Sequence, residues 1–133
     1  MGFHTTIASS LLALCFSVLP AQSAEITKDS LQTVRSKITD KKAVLVDVRE
    51  KSEWDKGHIE GAIFLPLSAL QEKADPAALS KVLPKDKIIY THCVVGKRSL
   101  TAANILEKLG YDARSLKPGY KELVDAGLPK ARQ

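Results

Sequence analysis

Two cysteines, Cys15 and Cys93, are all that 133 residues contain. Aromatic residues are nearly as scarce, with three Phe, three Tyr and one Trp. The formal charge of +5 comes without any Lys/Arg-rich run. It therefore reads as mild attraction for small anions and argues against nucleic acid as a partner. No cluster of His, Cys and Asp has metal-ligand spacing, and no glycine-rich phosphate loop appears, so neither a metal nor a cofactor is expected. After residue 24 there is no repeat, low-complexity tract or linker, and the length suits one domain.

The longest uncharged apolar stretch is "IASSLLALCFSVL", 13 residues over 7–19. That is too short to span a bilayer and suits the hydrophobic region of a secretory signal. Pro20 and the small-residue stretch Ala21-Gln22-Ser23-Ala24 follow it, with cleavage after Ser23 or after Ala24 as competing choices. No Lys or Arg precedes the run, which leaves the α-amino group as its positive end. The expectation is a signal peptide over 1–24 and a mature domain over 25–133, periplasmic or secreted, with no stable membrane association after cleavage. Cys15 then leaves with the signal, and the mature chain has one thiol and no internal disulfide. A lone thiol in an oxidising setting is a liability unless it reacts.

The mature part alternates short apolar runs with helical patterns. "KDSLQTVRSKI" carries Leu31, Val34 and Ile38 at helical spacing, with Asp29 or Ser30 at its start. "AVLVDV" (43–48) is a continuous β-branched run, as in a strand buried on both faces. "AIFLPL" (62–67) and "KIIYTH" (87–92) read as further strands, "SALQEKA" and "PAALSKVL" as short helices between them. "SLTAANILEKLG" places Ala102, Ala103, Leu106 and Leu109 on one face of a helix opening at Ser99 and ended by Gly110. "DARSL" predicts a fourth strand and "GYKELVDAG" a last helix. Such alternation predicts an α/β fold, an open, mainly parallel sheet with helices on both faces. Ligands of these sheets sit where strands end and helices begin.

Cys93 falls at such a junction, between "KIIYTH" and the helix. Backbone N–H groups of Val94, Val95, Gly96, Lys97, Arg98 and Ser99 could curl around its sulfur, aided by the helix start. Gly96 permits a positive φ that valine resists, and Lys97 and Arg98 add cationic charge. Lowering a thiol pKa from about 8.5 to about 6.5 corresponds to roughly 2.7 kcal/mol and turns a few per cent of thiolate at pH 7 into a majority.

"CVVGKRS" resembles the C-x-x-G-x-R-S active-site loop of rhodanese-type sulfurtransferases. "VLVDVREKSEWDKGHIEGAIFLPL" is similar to that family's segment D-V-R-x-x-x-E-(aromatic)-x-x-G-H-I-x-G-A-x-(apolar)-(apolar)-P, and "LEKLGYDARSLKPGYKELVDAGLP" resembles its C-terminal end. Where the family often has Gly-Gly after the fourth strand, this chain has Pro118-Gly119. The resemblance implies the rhodanese fold and a Cys93 nucleophile that accepts sulfane sulfur as a persulfide. It implies that the loop from Val94 to Ser99 cradles that sulfur, with Arg98 bracing the loop or facing the anion. Asp47 and Arg49, ending the first core strand, would tie neighbouring loops together. His58 in "GHIEGA" and His92 are expected to be structural, and Trp54 a core residue.

The related dual-specificity phosphatases also carry His-Cys before an anion-binding loop, but with five residues between Cys and Arg against four here. The shorter ring admits one sulfur atom and crowds a phosphate. A persulfide carrier serving a partner protein would use the same cysteine and stays open as an alternative. The expected activity is transfer of sulfur from a small anionic donor such as thiosulfate to a thiol or cyanide acceptor, by a monomer.

Overall fold

The computed structural model describes residues 23–133, together with Gly2. The apolar run 7–19, Cys15 and most of the expected signal segment lie outside the described residues. The elements are α1 (Leu31–Thr39), β1 (Ala43–Asp47), α2 (Lys51–Lys56), β2 (Ile63–Phe64) and α3 (Leu67–Glu72), then α4 (Pro76–Ser80), β3 (Ile88–His92), α5 (Lys97–Lys108), β4 (Asp112–Ser115) and α6 (Tyr120–Asp125). The strands form one open sheet in the order β2-β1-β3-β4, and every pairing is parallel. Among the described residues no helix is long and apolar enough to cross a membrane.

Both faces of this sheet are covered, which is why β1 and β3 read as unbroken apolar runs rather than alternating ones. Val46, Ile89, Cys93 and Ala113 pack with Leu70, Leu79, Ala102, Ala103 and Leu106 of α3, α4 and α5. Their strand neighbours Ala43, Leu45 and Tyr90 pack the other way, with Val34 of α1, Leu123 of α6, and Ile59 and Leu128. The period of two along each strand sorts the side chains between these layers.

Register then decides what meets at the carboxyl end. β1 pairs β3 from Ala43 opposite Ile88 to Asp47 opposite His92. Phe64 lies opposite Asp47, and Ser115 opposite Thr91. Before α1, Ile26 bridges Ser115 in parallel, with Thr27 N donating to Ser115 O at 2.8 Å. Residues 25–27 thus cover part of the β4 edge, which would otherwise present unpaired backbone.

Two local expectations change, at α5 and Trp54, and the choice between Asp29 and Ser30 at the start of α1 is decided. α5 opens at Lys97, two residues before Ser99, because Gly96 adopts φ 88° and turns the chain into the helix in a single step. Ser30 is the N-cap of α1, accepting from Thr33 N at 3.1 Å, while Asp29 receives the Tyr90 hydroxyl and Lys37 instead. Trp54 is not a core residue. It is half-buried on α2, a six-residue helix with no buried position, and stacks on His58 with ring centroids 3.6 Å apart. Gly110, at φ 89°, ends α5 as the sequence predicts.

Candidate active site

Cys93 follows β3 directly, and only Val94, Val95 and Gly96 separate it from α5. It is 1% exposed. Its Sγ accepts the Gly96 N–H at 3.1 Å and stands 3.6 Å from the Ser99 hydroxyl. Burial pushes the thiol pKa up. The Ser99 hydroxyl and the backbone N–H groups of Ser99, Gly96 and Val95 push it down, and together they prevail, so the thiol lies below its ordinary value. The donors are neutral dipoles held in place by the helix start. The cradle expected over 94–99 is therefore narrower than the sequence suggests, and the cations are not its main source.

Ser99 holds the centre of this arrangement. Its Oγ lies 3.0 Å from Gly96 O, 2.9 Å from Ser115 Oγ and 3.3 Å from Leu116 O, and its carbonyl accepts from Thr91 Oγ1 at 2.8 Å. A serine has one proton to donate. With Ser115 donating to Ser99 Oγ, that proton is available to the sulfur whenever the sulfur is charged.

Arg98 does not reach toward an anion. Its two terminal nitrogens donate in parallel to Glu53 on α2, at 2.6 and 2.9 Å. Glu53 also accepts from Glu50 N at 3.1 Å, and Glu50 accepts from the Ser68 hydroxyl at 2.8 Å. The guanidinium holds the Glu53 carboxyl down to about 2. Of the two roles the resemblance offers for Arg98, the geometry has the bracing one, joining α5 to α2. Lys97 is exposed and, among the described residues, forms no ion pair. In the same loop Val94 and Val95 are 46% and 70% exposed.

Asp47 and Arg49 are both buried. Arg49 donates to Asp47 through Nε at 3.0 Å and Nη2 at 2.8 Å, and through Nη2 to Gly57 O at 2.8 Å. Its guanidinium lies 4.4 Å from the centre of the Tyr120 ring. This pair ties the end of β1 to the end of α2 and the start of α6. His92 Nε2 lies 3.5 Å from Asp47 Oδ2. Burial drives His92 below its usual pKa against the pull of Asp47, which leaves a neutral imidazole packed under the site. His58 Nδ1 donates to Trp54 O at 3.1 Å, an acceptor that requires the proton on that nitrogen. The site thus unites Cys93, Val95, Gly96 and Ser99, while Asp47, Arg49 and Arg98 tie the surrounding elements together, and His58 bonds and stacks on Trp54 rather than joining them.

Sequence reading missed three participants. Ser115 carries no local signal, since its role depends on the pairing of β4 with β3. Glu53 stands in the quoted family segment, but nothing in its own neighbourhood marks it as the partner of Arg98. Gly119 matters through close approach, since a Cβ there would lie 2.0 Å from Val94 O and 2.9 Å from Cys93 O. Tyr120 N, next to it, donates to Cys93 O at 3.1 Å. The Pro118-Gly119 departure thus keeps a glycine where the cysteine loop needs one.

Residues 30–126 match the rhodanese-like domain family, and the chain belongs to that family. It is 34% identical over 105 residues to the human thiosulfate:glutathione sulfurtransferase, covering 72% of this chain and 91% of that one. It is 39% identical over 83 residues to the Bacillus subtilis protein YqhL, covering 62% of this chain and 61% of that one. The crystal structure of a rhodanese-related protein from Thermoplasma volcanium superposes with a TM-score of 0.63 at 28% identity, covering 84% of this chain and 99% of that one. The chain spans about half the length of other curated relatives, 56% and 45% in two cases. The family and these relatives support sulfur transfer in general.

Proposed function

We propose that this chain is a sulfurtransferase in which Cys93 carries a sulfane sulfur taken from a small anionic donor such as thiosulfate. The observation that carries this is the buried Cys93 sulfur, receiving an N–H from Gly96 at 3.1 Å, with its thiol below the ordinary value despite burial. The thiolate attacks the outer sulfur of thiosulfate. A sulfur–sulfur bond forms to Cys93 as the donor's own sulfur–sulfur bond breaks, and sulfite leaves with the electron pair. The terminal sulfur of the persulfide inherits the negative charge and the same backbone donors. A thiolate or cyanide then attacks that sulfur, and Cys93 departs as the thiolate it began as.

Four residues separate Cys93 from Arg98, one fewer than in the phosphatases, and that shorter loop disfavours the phosphatase alternative. A second reading has a specific observation in its favour. Val94 and Val95, directly after Cys93, expose apolar surface, which suits an acceptor presenting its thiol on a protein surface, so persulfide delivery to a partner protein uses the same chemistry. We further propose, from the apolar run alone, that the chain is exported with residues 1–24 as its signal.

Intact mass measured after thiosulfate treatment tests the proposal. The protein gains the mass of one sulfur and releases it to added cyanide, and Cys93→Ser gains none. Unchanged mass in the wild type, or sulfur retained by the Ser variant, contradicts it.

A further inference from the structure

A cleft of about 480 Å³ opens at the amino end of the sheet, the end away from Cys93. Ile38, Ala43, Leu45, Ile59, Leu128 and Pro129 supply its apolar lining. Arg35, Lys41 and Lys87 also line it, with Glu60 as the acid among them. None of the three cations forms an ion pair among the described residues. The volume falls within the roughly 300–1,000 Å³ of small-molecule sites, which combine an apolar body with a few placed polar groups.

Lys41 adds a second observation. It ends the first helix in a left-handed conformation, φ 58°, and is the only non-glycine residue with positive φ among the described residues. Lys41 N donates to Ile38 O at 3.0 Å and Lys42 N to Lys37 O at 2.9 Å, the paired bonds of a helix terminus at which glycine sits without strain. The chain keeps a strained lysine on the lip of the cleft instead. Strain held in this way points to a use for the side chain.

We propose that this cleft binds a small anionic amphiphile, a carboxylate or sulfonate on an apolar body. The body lies against Ile38, Leu45, Ile59 and Leu128, and the acid group faces the Arg35, Lys41 and Lys87 charges. Three cations against one carboxylate leave the site net positive, so an anion is favoured over a neutral or cationic amphiphile of the same shape. The inference is independent of sulfur transfer, because the cleft lies at the opposite end of the sheet from Cys93.

Decanoate, kept below its micelle-forming concentration and titrated into the isotope-labelled full chain, tests it by amide chemical shifts. Saturable shifts are expected at Ile38, Leu45, Gly61 and Leu128 and not at Val95 or Gly96. Lys41→Gly should raise the melting temperature yet weaken decanoate severalfold, and Lys41→Gln with Lys87→Gln should weaken it about tenfold, as two exposed charge contacts would. Decanol should bind more weakly than decanoate by a similar factor. The proposal is overturned by an absence of saturable shifts, by affinity indifferent to these substitutions, or by shifts that arise only with phosphatidylglycerol vesicles.

Discussion

At the carboxyl end of the sheet, polar groups are buried in company: Asp47 with Arg49, Ser99 with Ser115 and Thr91, the Cys93 sulfur with Gly96 N. At the amino end, Arg35, Lys41 and Lys87 line an apolar cleft without any ion pair among the described residues. The same parallel strands run between both ends, so the difference lies in which side chains each end presents. Paired burial gives the carboxyl end fixed geometry, which covalent chemistry requires. The cleft has charge held ready near solvent, which suits reversible binding. His92 departs from the carboxyl-end pattern. Both its ring nitrogens are buried without a side-chain hydrogen-bond partner, and burial holds its pKa below the usual value and keeps it neutral.

The strongest challenge to this contrast removes one partner at each end. Asp47→Ala leaves the Arg49 guanidinium buried and uncompensated, and should cost about 3–5 kcal/mol of stability. Lys87→Ala removes an unpaired cation and should stay within about 0.5 kcal/mol of wild type. Denaturant unfolding of the two variants measures both, and equal losses would erase the distinction.

Gly119→Ala probes rigidity in the cysteine loop without touching a charge. Its Cβ would overlap the Val94 carbonyl, so the loop must shift. The expected cost is about 1–3 kcal/mol, as for overpacking elsewhere. Sulfur transfer should fall further than that stability loss alone explains, because Tyr120 N no longer fixes Cys93 O. Transfer rate and melting temperature recorded on the same sample separate the two effects.

Acid titration divides the carboxyl end further. His92 takes up its proton in the unfolded chain near pH 6.5 but resists it when folded. The unfolded state therefore binds more protons, and stability should decline as pH falls below about 6.5. His92→Gln should flatten that decline. The Glu53–Arg98 pair acts lower, since its contribution is complete above the usual glutamate value of 4.5 and is lost as pH falls through about 2. Both side chains are about a third exposed, so Glu53→Gln should cost only about 1 kcal/mol at pH 7.

These differences also explain which parts could be read from sequence. β1 and β3 announce themselves through β-branched runs, because burial on both faces favours apolar residues along most of each strand. α5 does so through Ala102, Ala103 and Leu106, whose spacing matches its buried face. Cys93 was legible because a strand end, a glycine and a helix start are contiguous in the chain. The Arg98–Glu53 bridge was not, since it joins residues 45 positions apart, and no local pattern encodes such a pair. Ser115 was hidden similarly, its meeting with Ser99 set by the register of β4 on β3. Trp54 misled because a large aromatic suggests a core, whereas a six-residue helix at the rim has no core face to offer.

The central claim is that Ser99 and the backbone of its loop hold the Cys93 thiol below its ordinary pKa. Its most direct test is the rate of Cys93 alkylation by iodoacetamide as a function of pH, in the wild type and in Ser99→Ala. The wild-type profile should have its midpoint below the value of about 8.5 of a free thiol, and Ser99→Ala should move it upward. A wild-type midpoint at or above that of free cysteine, unmoved by the loss of Ser99, would contradict the account.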